Sequence, residues 1–127
     1  MQSAVLVFLG AGLGGVLRQI LNLAIPRALG EGFPWATFVI NVTGSFVMGL
    51  TIGWLAWRAE AASTRNIQLF VATGVLGGYT TFSTFSLDAI KLIEREQIGL
   101  AALYVGGSVI LGIASLWAAL MLIRSLA

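Results

Sequence analysis

Residues 77–86 read GGYTTFSTFS, a run that places five Ser and Thr hydroxyls, two Phe, one Tyr and two adjacent Gly between apolar segments. Hydroxyl hydrogens are donors to an anion. Phenyl edges carry partial positive charge, so Phe82 and Phe85 offer a second, weaker surface for one. The two rings lie three residues apart and share a face if helix resumes after Thr81. Gly77 and Gly78 each weaken a helix by roughly 1 kcal/mol relative to Ala. Thr80 and Thr81 are β-branched and compete for backbone hydrogen bonds. Gly74 lies one turn earlier. The run predicts a helix break, whose freed carbonyls suit a cation and whose freed N–H groups suit an anion.

Further donors recur at helical spacing. Tyr104, Ser108 and Ser115 fall within about 40° of one another on a helix of 3.6 residues per turn, with Leu111 on the same line. Thr37, Asn41 and Ser45 are spaced i, i+4, i+8, and Gly49 and Gly53 continue the row. Asn41 stands out because a carboxamide offers two donors and is costly to bury unpaired. Gly10, Gly14 and Arg18 share the same spacing, followed by Asn22. Each track has a plainer reading as helix–helix contact, since Ser, Thr and Gly mediate packing in membranes. Arg18 either snorkels to the interface or bonds to a neighbouring backbone, the two favoured readings, or it stands at the vestibule of an anion path, where its charge concentrates anions. His and Cys are absent, which removes imidazole and thiolate chemistry.

These donors must be positioned by membrane-spanning helices. Only 9% of the 127 residues are charged and 58% are hydrophobic, against about 25% charge in an ordinary soluble domain. A span needs about 20 largely apolar residues. Four segments fit, at roughly 3–25 (ended by Pro26), 35–57, 66–92 and 99–123. They make one four-span all-α membrane domain over 1–127, with the third helix broken near its middle. The N-terminus lacks the basic region and small-residue cleavage site of a signal peptide, so it is read as a retained helix. Seven basic against five acidic residues give no basic face for nucleic acid.

In a four-span layout Arg58, Arg65 and Arg124 fall on one side and Arg27, Lys91 and Arg95 on the other. This balance gives the positive-inside rule almost nothing to act on, and insertion in both orientations is slightly favoured over one fixed topology. No acidic residue lies deep in the first, second or fourth span, and Asp88 lies towards the end of the third. A proton-coupled multidrug carrier needs a buried carboxylate, so an anion path is the better chemical match. Four helices are few to enclose a polar path, which points to a dimer.

The segment GVLGGYTTFSTFS at 74–86 resembles the signature of the small bacterial fluoride channels, the Fluc or CrcB family. GGVLRQ at 14–19, NVTGSF at 41–46 and YVGGS at 104–108 match as well. The resemblance covers nearly the whole chain. It implies an antiparallel, dual-topology homodimer in the bacterial plasma (inner) membrane, with two pores for passive fluoride efflux that relieves fluoride toxicity. It also implies a structural sodium ion on the dimer axis, held by the backbone carbonyls of Gly77 and Thr80. Phe82 and Phe85 would be the pore phenyls and Asn41 a pore donor. Tyr104 and Ser108 would belong to the polar track, with Thr37 towards the vestibule and Thr81, Ser83 and Thr84 along the wall.

Asp88 departs from the family pattern, which often has Glu there. Gly112 stands where some relatives continue the track with Ser. Three functions remain in view: a fluoride channel with no catalytic reaction, a dual-topology multidrug exporter, and a structural membrane subunit that packs through its glycine rows.

Overall fold

A computed structural model describes residues 1–58 and 63–127. The described chain is helical: α1 (Gln2–Leu29), α2 (Trp35–Trp57), α3 (Ser63–Ile67), a π-helical stretch π1 (Gln68–Leu76), α4 (Gly77–Tyr79), α5 (Phe82–Glu94) and α6 (Ile98–Leu126). Three of these, α1, α2 and α6, are long and apolar enough to cross a membrane unbroken. The expected span at 66–92 is a compound element, continuous from α3 through α4 and interrupted before α5.

Two boundaries differ from expectation for clear reasons. Pro26 does not end α1. Its missing N–H costs one bond to the preceding turn, and the helix runs on to Gly30, where φ is 87°. There the Gly30 N–H closes on the Pro26 carbonyl at 2.8 Å, and a left-handed glycine stops the helix. The second difference is the position of the break. Gly77 has helical φ −63° and ψ −37°, and the backbone turns extended only at Thr80 (ψ 157°) and Thr81 (φ −151°).

The glycines around the break serve close packing instead. A Cβ at Gly10 would collide with the Phe70 carbonyl, one at Gly14 with the Val75 carbonyl, and one at Gly78 with the Ala11 carbonyl. The Gly74 and Gly10 backbones are likewise too close for a Cβ on either residue, each built Cβ falling 2.9 Å from the other's Cα. Such backbone approach is the usual role of small residues between membrane helices. Contact numbers rise together, from Gly10 on Gly74 to Gly14 on Tyr79 and Arg18 on Thr80. Thus α1 runs parallel to π1 and α4.

The other major pair is also parallel. Ser115 bonds to Val42, Gly49 meets Leu116 and Ala119, and Gly53 meets Ile123, which lays α6 along α2. Opposite α2 the order reverses: Tyr79 meets Thr43, Thr81 meets Asn41 and Asp88 meets Thr37. The chain therefore keeps one direction along α2 before and after the break.

A compact core closes one end, where Ala89, Leu92, Ala101 and Tyr104 are packed by Phe33, Phe38 and Phe85. Tyr104 is fully buried and meets Phe33 edge to face, with ring centroids 5.5 Å apart. Long apolar faces elsewhere are bare: Phe8, Ile110, Ile113 and Trp117 are all exposed. In a soluble monomer such a surface would be anomalous; beside lipid or another protein it is expected.

Candidate functional site

One side chain holds both backbone groups of Thr81 at the break. In an unbroken helix the Thr81 N–H would bond the Gly77 carbonyl. Here it donates to Asn41 Oδ1 at 2.8 Å, and Asn41 Nδ2 donates back to the Thr81 carbonyl at 3.0 Å. The Asn41 carboxamide thus stands in for a backbone partner on both sides of one residue. A carboxamide carries two N–H donors, so one is left over. Thr81 also caps the helix that follows: its Oγ1 accepts the Thr84 N–H at 3.2 Å and donates to Thr84 Oγ1 at 3.1 Å. Thr80 turns its hydroxyl back to the Leu76 carbonyl at 2.9 Å.

Beside the break lies an open groove of about 310 Å³, walled by Asn41, Thr80, Thr81, Phe82, Phe85 and Ser108 among others. Ser108 Oγ is buried and has no hydrogen-bond partner among the described residues. A hydroxyl left unpaired in an apolar setting carries a desolvation penalty of roughly 1–3 kcal/mol, which a ligand at the groove would relieve. The Phe82 and Phe85 rings are 5.6 Å apart and tilted by 39°. Phe82 is 79% exposed, so in a single copy this wall of the groove is open.

A second cavity of about 430 Å³ is lined by Thr37 from α2, by Thr84, Asp88 and Lys91 from α5, by Arg95 just after it, and by Glu31 from the loop after α1. Thr84 links the two spaces, because it lines this cavity and bonds to Thr81 in the groove wall. Together they run from the loop after α1 to the break at Thr81.

Six of the expected residues therefore converge on the groove: Asn41, Thr80, Thr81, Phe82, Phe85 and Ser108. Thr37 and Thr84 face the second cavity. Tyr104 packs on Phe85 at 5.2 Å and donates its hydroxyl hydrogen to Asp88. Ser83 lies 3.3 Å from Thr81 Oγ1 and is exposed. Gly77 is outside both cavities. Arg18 donates to the Thr80 carbonyl at 3.4 Å. The fourth-span track separates by role, since Ser115 bonds to the Val42 and Gly112 carbonyls and is helix contact, whereas Ser108 is unpaired.

Two features escaped sequence reasoning. Asn41 was legible as a donor but not as the clasp of Thr81, because a partner 40 residues away leaves no local signal. Asp88 was legible only as a departure from a pattern. Its Oδ2 accepts Thr37 at 2.8 Å and Tyr104 at 3.3 Å, a meeting of three helices.

Comparison of the sequence with known proteins gives a family match and relatives over nearly its whole length. The profile of a family described as CrcB-like protein, Camphor Resistance (CrcB), matches residues 5–120. A protein of Rhodopseudomonas palustris (strain BisB5) named fluoride-specific ion channel FluC is 56% identical over 121 residues, covering 95% of this chain and 96% of its own. The fluoride-specific ion channel FluC 2 of Nitrobacter hamburgensis is 57% identical over the same shares. The fluoride-specific ion channel FluC of Hyphomonas neptunium is 45% identical over 98% of this chain and 97% of its own. These relatives are ion channels and not enzymes. With the family profile spanning nearly all of its length, the chain belongs to the CrcB family.

Proposed function

We propose that the chain is a fluoride-selective channel through which fluoride leaves the cell passively, and that the groove beside Thr81 is part of its path. The observation that carries this reading is the unpaired, buried hydroxyl of Ser108, a residue lining the same groove as Asn41, whose carboxamide has one donor to spare. Fluoride is small and strongly hydrated, so several close donors must replace its water. Asn41, Ser108 and Thr81 supply neutral donors, and the Phe82 and Phe85 edges add a weaker attraction.

The working unit is an antiparallel homodimer with two pores in the bacterial inner membrane. Support comes from the balanced basic residues and from the 79% exposure of Phe82, which a second copy would cover. The segment from α3 through α5 makes the fourth crossing. Its steady descent along α2, from Thr43 to Thr37, supports that count.

A sodium ion on the dimer axis fits the donor set. The Gly77 carbonyl loses its helical partner when Thr81 turns to Asn41, and neutral carbonyls suit a hard cation. The Thr80 carbonyl already takes the Arg18 hydrogen, but a carbonyl oxygen has a second lone pair. When bound, the ion supplies a positive charge shared by the two copies, with Gly77 and Thr80 holding it and Arg18 steadying the Thr80 peptide. Exchange of sodium for a bulky organic cation is expected to lower dimer recovery in size-exclusion chromatography. Full recovery would argue against the ion.

Fluoride and chloride efflux from liposomes tests the main reading. Rapid fluoride efflux with negligible chloride efflux is expected, and its absence from well-folded protein would sink the proposal. Ser108→Ala is expected to slow fluoride efflux about tenfold, a loss that corresponds to one hydrogen bond of about 1.4 kcal/mol. Unchanged efflux would remove Ser108 from the path.

A further inference from the structure

Asp88 sits where three helices meet. Thr37 from α2 and Tyr104 from α6 both donate to the same carboxylate oxygen, at 2.8 Å and 3.3 Å. Tyr104 is fully buried and Thr37 is 4% exposed. Hydrogen bonds to a carboxylate are charge-assisted and roughly twice as strong as neutral ones. Both hydroxyl hydrogens are therefore turned onto Asp88. The same residue lines the second cavity together with Thr37, Lys91, Arg95 and Glu31.

A carboxylate is an unexpected group in an anion path, because it repels the ion. It is also an anion with hydrogen-bond acceptors of its own. We infer that Asp88 is a tethered competitor: it holds the Thr37 and Tyr104 hydrogens, and an anion in the second cavity gains the Thr37 hydrogen only by outcompeting the carboxylate. Fluoride, the strongest hydrogen-bond acceptor among the halides, can take a hydroxyl hydrogen from a carboxylate. Chloride, larger and a weaker acceptor, cannot. Asp88 is then a specificity-determining residue that acts through the donors it orients. This inference rests on the channel reading.

The test is fluoride and chloride efflux from liposomes holding the full-length chain, wild type beside Asp88→Asn. The amide keeps an oxygen that can accept both hydroxyls but has no charge. The fluoride-to-chloride efflux ratio is expected to fall about tenfold, because a neutral amide oxygen is a weaker acceptor than a carboxylate and yields the Thr37 hydrogen to chloride as well. An unchanged fluoride-to-chloride ratio, or loss of both fluxes from folded protein, would overturn the competition. Should Asp88→Asn not fold, Thr37→Val serves. It strips away one contested hydrogen, and the fluoride concentration for half-maximal efflux is expected to rise several-fold with selectivity kept. An unmoved half-maximal concentration would overturn it. Wild-type efflux distinguishes the two failures: normal fluoride efflux with an unchanged variant ratio defeats only the competitor, whereas no wild-type efflux defeats the channel reading beneath it.

Discussion

Asn41→Ala is expected to reduce fluoride efflux by about a hundredfold or more and to destabilise the fold at the same time. The side chain satisfies both polar groups of Thr81, at 2.8 Å and 3.0 Å. Without it the Thr81 N–H and carbonyl stand unpaired next to an apolar groove, at about 1–3 kcal/mol each. The backbone can recover those bonds by closing into continuous helix. That would rotate Phe82, Phe85 and the Thr81 cap away from their present places and return a hydrogen to the Gly77 carbonyl. Asn41→Asp separates the two effects. It keeps an acceptor for the Thr81 N–H, loses the donor to the carbonyl, and puts a negative charge beside the groove. Its thermal stability in detergent is expected to lie between wild type and Asn41→Ala, while its fluoride efflux falls as far. Wild-type efflux from Asn41→Ala would show that the break does not depend on this clasp.

The second large effect is expected at Gly14→Val. The Val Cβ would run into the Val75 carbonyl and lie 2.8 Å from the Tyr79 nitrogen. Both neighbours are backbone, so neither can rotate aside. Overpacking of this kind costs about 3 kcal/mol, and here it levers α1 off the element that carries the break. Gly12 and Gly15, on the same helix, have nothing within 4 Å of a built Cβ. Gly15→Ala is therefore the control, expected to leave the fold intact or slightly firmer, since Ala exceeds Gly in helix propensity by about 1 kcal/mol. The check is the fraction of protein still monodisperse after a heating step in detergent. Equal recovery of Gly14→Val and Gly15→Ala would defeat the packing argument.

Much of the architecture was legible in the sequence because membrane helices leave a simple record. The spans at 35–57 and 99–123 match α2 and α6 within a few residues, since apolar length alone marks them. A break in the third segment was legible too, from the density of Gly, Thr and Ser. Its cause was half placed: Thr80 and Thr81 were counted among the residues that weaken the helix, but the glycine pair counted with them is helical, and Gly78 serves to admit Ala11. The interruption belongs to Thr80 and Thr81 and is fixed by a side chain on another helix. Local composition can register that a helix is weak. It cannot register that Asn41 lies opposite the weak point, because that depends on how two helices are laid together. The same limit hid Asp88, whose partners lie 51 and 16 residues away. Ser108 and Ser115 looked equivalent by angle, and only their neighbours separate them.

The parallel pairing of helices bears on how the chain is made. α1 rests on π1 and α4, and α2 rests on α6, so each helix finds its main partner one helix later than the next in sequence. A growing chain that has made only α1 and α2 lacks the main packing partner of each. The glycine face of α1 waits for Phe70 to Tyr79, and the Gly49–Gly53 face of α2 waits for Leu116 to Ile123. Until then lipid must cover both faces. The final hydrocarbon-facing surface is thus settled only when the last helix arrives, and quality control of a nascent chain would act on a two-helix intermediate whose small-residue faces are still bare.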